Sequence, residues 1–170
     1  MDFAIGQHII HPSHGPGEII DIEEQTLIKK KGVQEYYVIR FANKRLVVRV
    51  PKKDASERGL REVMSPAKSK QVFSALRGAP QDLPQDFKER RKQIEEMIFS
   101  GAPIRIAEAV RELTWRGHEK NLNISDQKLL EQGREMLIDE LCLATDAEPA
   151  TVNDTINEAL TFYEEALLAV

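Results

Sequence analysis

Three histidines, His8, His11 and His14, lie three apart near the start of the chain, and imidazoles could hold a metal or carry protons. A spacing of three on a strand alternates faces, and Pro12 distorts the backbone next to it. No cysteine or carboxylate stands beside them to complete a familiar metal set, so no metal site is expected. Cys142 is the sole cysteine, which excludes an intrachain disulfide. Its neighbours Leu141 and Leu143 point to a buried structural thiol. The chain has no Gly-rich phosphate loop, nucleophile elbow or HExxH motif, and its carboxylates fall on solvent faces or helix ends. Neither catalysis nor a cofactor is read from it.

The residues that do invite chemistry lie further on. Asp86 can cap a helix that begins with Phe87, Lys88, Glu89, Arg90, Arg91 and Lys92. Four cations then crowd the positive end of the helix dipole, where acids are preferred. Lys88 and Lys92 also form a like-charge pair four apart. An anion would relieve the conflict, and nucleic-acid phosphate is one. Phe87 is open to two readings. It shares a helix face with Ile94 and could begin the core stripe. Alternatively, an aromatic beside arginine at a helix start suits insertion into a minor groove, with cations on the phosphates. Arg49 also has two readings, a solvated strand charge or a contact to a partner that extends or covers the sheet. Trp115, the single tryptophan, follows an apolar helical stripe and reads as core or partly buried packing, or else as a direct partner contact.

The elements that position these residues change character once. Residues 5–10, 18–27, 35–41, 46–50 and 60–63 read as short strands, rich in β-branched and aromatic residues. The cluster from His11 to Gly17 reads as a turn, Lys29, Lys30, Lys31 and Gly32 as a hairpin tip, and Ala42-Asn43-Lys44 as a tight turn. Pro51 should end the fourth strand. From Ser65 the period becomes helical. Ser65 caps a helix with Pro66 at its first position, which stops at Gly78. A linker over 78–84 leads to a helix over 87–100, ended by Gly101. Pro103 opens the third helix, Ser125 caps the fourth, and Thr151 with Asp154 makes a capping box for the last. The last stripe is Val152, Ile156, Leu160, Tyr163 and Leu167. Segregated strands and helices predict an α+β chain: a small antiparallel barrel over residues 1–64, then an all-α bundle over 65–170.

The 170 residues are 41 % hydrophobic and 31 % charged, the balance of a soluble globular protein. Net charge is −4, but no Lys or Arg follows Arg134, so a basic middle precedes an acidic end. With no signal peptide and no apolar run of membrane length, a cytoplasmic protein without membrane attachment is expected.

The order of several short motifs resembles the CarD family of bacterial transcription regulators. These are Gly6 with His11-Pro12-x-His14-Gly15, Tyr36-Tyr37-Val38, Val48-Arg49-Val50-Pro51 and Gly59-Leu60-Arg61. Downstream come Ala107-Glu108-x-Val110-Arg111-Glu112-Leu113 and Leu137-Ile138-x-Glu140-Leu141. The resemblance spans residues 1 to about 145. It implies a Tudor-like (SH3-like) barrel, shared with the transcription-repair coupling factor, that docks on the RNA polymerase β subunit. It implies a helical domain that contacts promoter DNA, largely without sequence preference, at the upstream edge of the bubble and stabilises the open complex. By that likeness Arg49, with Gln25 and Leu27, would contact polymerase. Phe87, Lys88, Arg90, Arg91 and Lys92 would contact DNA, with Phe87 in the place of a wedge tryptophan. Gln25 stands where a second polymerase-contacting arginine is common, and Glu89 where another base is. A monomer is expected. The alternative is an adaptor that uses the barrel module with little or no DNA function.

Overall fold

The computed structural model describes residues 2–26 and 32–169. They form two compact units, Met1–Val63 and Met64–Val170. The first holds five antiparallel strands: β1 (His8–His11), β2 (Gly15–Gln25), β3 (Gln34–Phe41), β4 (Leu46–Pro51) and β5 (Arg61–Glu62). Their order in the sheet is β4-β3-β2-β1-β5. The chain is thus α+β, as its patterning implies, but the sheet is open where the strand pattern suggests a closed barrel. β5 has only two residues and, among the described residues, pairs only with β1, at Ile9 and Ile10, so no ladder joins it to β4. Such closure needs strands long and tilted enough to bring both edges together. The predicted turn from His11 to Gly17 is also shorter, because Gly15, Pro16 and Gly17 already pair with β1.

Alternation along the strands builds one core. Ile9, Ile19, Tyr37, Ile39, Phe41 and Val50 pack with Phe3, Ala55 and Leu60. The Tyr37 hydroxyl accepts from the Phe3 backbone N–H at 3.0 Å, which satisfies a polar group within that core. A bulge between Ile19 and Asp21 bends β2 against β3. Gly17 is required by close approach: a Cβ there would lie 2.7 Å from Phe41 Cε1. The expected hairpin tip at Lys29, Lys30 and Lys31 lies outside the described residues.

The second unit holds α1 (Pro66–Arg77), α2 (Phe87–Ile98), α3 (Pro103–Glu119), α4 (Ile124–Thr145) and α5 (Pro149–Leu168). Ser65 caps α1, its side chain accepting from the Lys68 N–H. Beyond α2, Gly101 takes the left-handed φ of 75° that lets the chain reverse into α3. Two starts differ from expectation. Asn123, not Ser125, caps α4, its side chain accepting from the Asp126 N–H at 2.8 Å. Helix α5 begins one turn before the Thr151 box, because Pro149 sits pre-shaped at the first position and needs no donor there.

The bundle has two cores. Val72, Leu76, Ile106, Val110, Leu137, Leu141, Val152 and Ile156 form one. Leu83, Ile94, Met97, Ile98, Ala109, Leu113 and Leu129 form the other. Buried carboxylates are engaged: Glu140 accepts the Met64 N–H and Glu112 the Gln81 N–H. Cys142 is half-buried beside the first core rather than enclosed, and burial raises its thiol pKa. Leu167, read as the end of the α5 stripe, is exposed. Among the described residues no helix is long and apolar enough to cross a membrane.

Candidate nucleic-acid interface and docking edge

At the start of α2 the Asp86 carboxylate accepts from the Lys88 and Glu89 N–H groups at 3.0 and 2.9 Å. The predicted cap is therefore present, and it offsets part of the dipole's positive end. Phe87 is 43 % exposed and belongs to neither core. The core stripe of α2 begins one turn later, at Arg90, and becomes apolar at Ile94. Lys88 and Lys92 are also exposed, so an aromatic ring and two ammonium groups project from one turn and the next.

Arg90, expected among the DNA contacts, is 4 % exposed and turned inward. Its Nε donates to Asp126 Oδ2 at 3.0 Å, and its Nη1 to the carbonyls of Pro84 and Gln85, both at 3.1 Å. The charge conflict at this helix start is thus relieved partly inside the protein. Arg91 pairs with Glu95 at 2.8 Å and Lys92 reaches Glu96 at 4.0 Å, both one turn on. Lys88 has no ionic partner among the described residues. The Arg90 guanidinium also lies 6.0 Å from the Phe87 ring, within cation–π range. Sequence reasoning misses Asp126, Arg116 and Lys120. Asp126 lies three residues beyond its helix cap, which in sequence reads as an ordinary acid of a first turn.

The second candidate is the β4 edge. Arg49 pairs in register with Val38, while Val50 enters the core and Val48 packs against it. It therefore points to the opposite face, as its alternation implies. Its Nε donates to Glu23 Oε2 at 2.9 Å and its Nη2 to Oε1 at 3.4 Å, a two-point contact reaching across β3 to β2. That hydrogen bond holds the Glu23 carboxyl below the usual range. Gln25 Nε2 also donates to Glu23 Oε2, so Arg49 and Gln25 share one carboxylate. Leu27 lies outside the described residues. Among the described residues β4 pairs only with β3, so among them it is an edge strand.

The remaining sequence candidates form no centre. His11 and His14 stack at 4.6 Å, and both rings lie against Phe41. Among the described residues no three His, Cys, Asp or Glu side chains gather as a metal set. Trp115 is partly buried and meets Tyr163 edge-to-face at 5.6 Å.

Comparison with known proteins adds a second line. Residues 3–64 match the family described as CarD-like/TRCF RID domain, and residues 71–157 match CarD, C-terminal domain. The chain is 34 % identical over 139 residues to the Bacillus subtilis (strain 168) protein named "Putative transcription factor YdeB". That alignment covers 82 % of this chain and 90 % of that protein.

Proposed function

The chain belongs to the CarD family, which gives it a transcription-related role, and from that premise we propose that it docks on the RNA polymerase β subunit and stabilises the promoter open complex. In this reading the N-terminal unit, a Tudor-like module, presents Arg49, Gln25 and the β4 edge to the polymerase. A strand laid on that edge would gain main-chain hydrogen bonds, and Arg49 would add planar charged ones. The bundle brings Phe87 to the minor groove at the upstream edge of the bubble. Lys88, Arg91 and Lys92 lie against phosphates, and Arg90 holds the turn from within. The protein acts by differential affinity, since contacts made only to melted DNA shift the equilibrium towards it. Docking raises the local concentration of a weak, largely sequence-independent DNA contact.

The observation that carries this reading is Phe87, a large aromatic outside both cores on a basic helix start. Phe87→Ala should shorten the lifetime of an open complex after competitor challenge by about tenfold, the equivalent of roughly 1.4 kcal/mol of lost wedge contact. An unchanged lifetime would remove the wedge. One observation favours a second reading, an adaptor with little DNA function: residues 64–170 carry 13 Lys and Arg against 19 Asp and Glu. That reading gains if the full chain binds a β-subunit fragment yet leaves open-complex lifetime unaltered.

A further inference from the structure

Three helices and a linker converge on one buried carboxylate. Asp126, in the first turn of α4, is 1 % exposed. Its Oδ2 accepts from Arg90 Nε of α2 at 3.0 Å and lies 3.9 Å from Arg116 Nε of α3. The longer distance is beyond hydrogen-bond range, so Arg116 is held there by charge. Arg90 also closes on the last carbonyls of the linker, Pro84 and Gln85, and Lys120 Nζ donates to the Gln85 side chain at 3.3 Å. The Asn123 cap fixes the Asp126 backbone that aims this carboxylate inward.

A buried ion pair adds little net stability over an apolar pair of the same volume, because desolvation offsets the attraction. What it does provide is direction. A planar guanidinium with three bonds at fixed angles admits one orientation of the segment it holds. Here the held segment is Pro84 to Arg90, and Phe87 lies at its centre. We propose that Asp126 is a positioning residue, which through Arg90, and with Arg116 as a second anchor, fixes the angle at which α2 presents Phe87. The inference rests on the wedge reading for its consequence in transcription, but the positioning itself can be measured without DNA.

The test uses the full chain. Phe87→Trp with Trp115→Phe places a single indole at position 87, because Trp115 is the one native tryptophan. Adding Asp126→Asn should raise iodide quenching of that indole about twofold and lower its anisotropy, with the helical circular dichroism retained. If Asp126→Asn does not fold, Arg90→Lys serves. It keeps the charge but cannot hold the carboxylate and both carbonyls at once, and it should move the same signals in the same direction. Quenching and anisotropy unchanged in a folded variant overturn the proposal. The second measurement is open-complex lifetime with polymerase and promoter. Asp126→Asn should shorten it by about as much as Phe87→Ala, and the double variant should be no worse than Phe87→Ala alone. Losses that multiply mean that Asp126 acts elsewhere, and also overturn it. If Phe87→Ala has no effect while the indole signal moves, the wedge reading fails and the positioning stands.

Discussion

Phe87 and Arg90 sit three residues apart at the start of one helix, and burial assigns them opposite tasks. The hydrophobic residue is exposed and the charged one is enclosed. Helical periodicity puts both near the core face, and ordinary partition would bury the phenyl ring. The inversion holds because Asp126 supplies Arg90 with a buried counter-charge, while Phe87 lies one turn short of the first core layer. His11 poses a different problem at the same scale. Burial, then the charges of His14, Lys44 and Arg58, holds its imidazole below the ordinary 6.5. The unfolded chain therefore binds a proton before the folded one does. Stability should be full above pH 6.5 and fall as the pH drops below it towards the depressed folded value. Thermal unfolding of the full chain from pH 7.5 to 5.5 should show a steeper fall than His11→Gln, and parallel curves would refute the assignment.

Among the elements, β2 and β3 depend on a missing side chain. Gly17 sits where a Cβ would come within 2.8 Å of Ile39 Cγ2 as well as pressing on the Phe41 ring. Both neighbours are fully buried, so neither can swing away freely. Gly17→Ala should cost about 1–3 kcal/mol, read as a lower urea midpoint with an unchanged slope. A midpoint that does not move would mean the sheet can flex at its bulge. Among the described residues β4 pairs only with β3, and in the proposed reading it is the strand, carrying Arg49, that a partner would join.

At the scale of the molecule, the proposed reading places docking and DNA contact in separate compact units. Their losses should therefore separate. Arg49→Glu should weaken binding to an isolated β-subunit fragment by at least tenfold, since it reverses a charge and frees Glu23. The chain's own affinity for duplex DNA, and its dependence on salt, should stay as they were. Unchanged binding to the fragment would refute the role of Arg49. The charge distribution fits such a division. The bundle is acidic overall; Lys88, Arg91 and Lys92 lie exposed at one helix start, while Lys68, Lys70, Arg77, Arg105, Lys120 and Lys128 are exposed elsewhere on it. DNA affinity without the polymerase should accordingly be weak.

Much of this architecture is legible in the chain. Strand alternation and the helical stripes specify an α+β order, because both periods are properties of the backbone itself. The caps at Ser65 and Asp86 and the outward aim of Arg49 come from contacts within a few residues. The two motif sets, read in order, point to the family. Tertiary structure decided what depends on distant partners. Asp126 lies 36 residues from Arg90, and no local pattern signals that one neutralises the other. Closure of a sheet depends on where its edges meet in space, which strand patterning does not encode. The cations at the start of α2 are visible in sequence as a group. Only packing separates the one that builds the site from those that face outward, because burial is a property of the fold rather than of the residue.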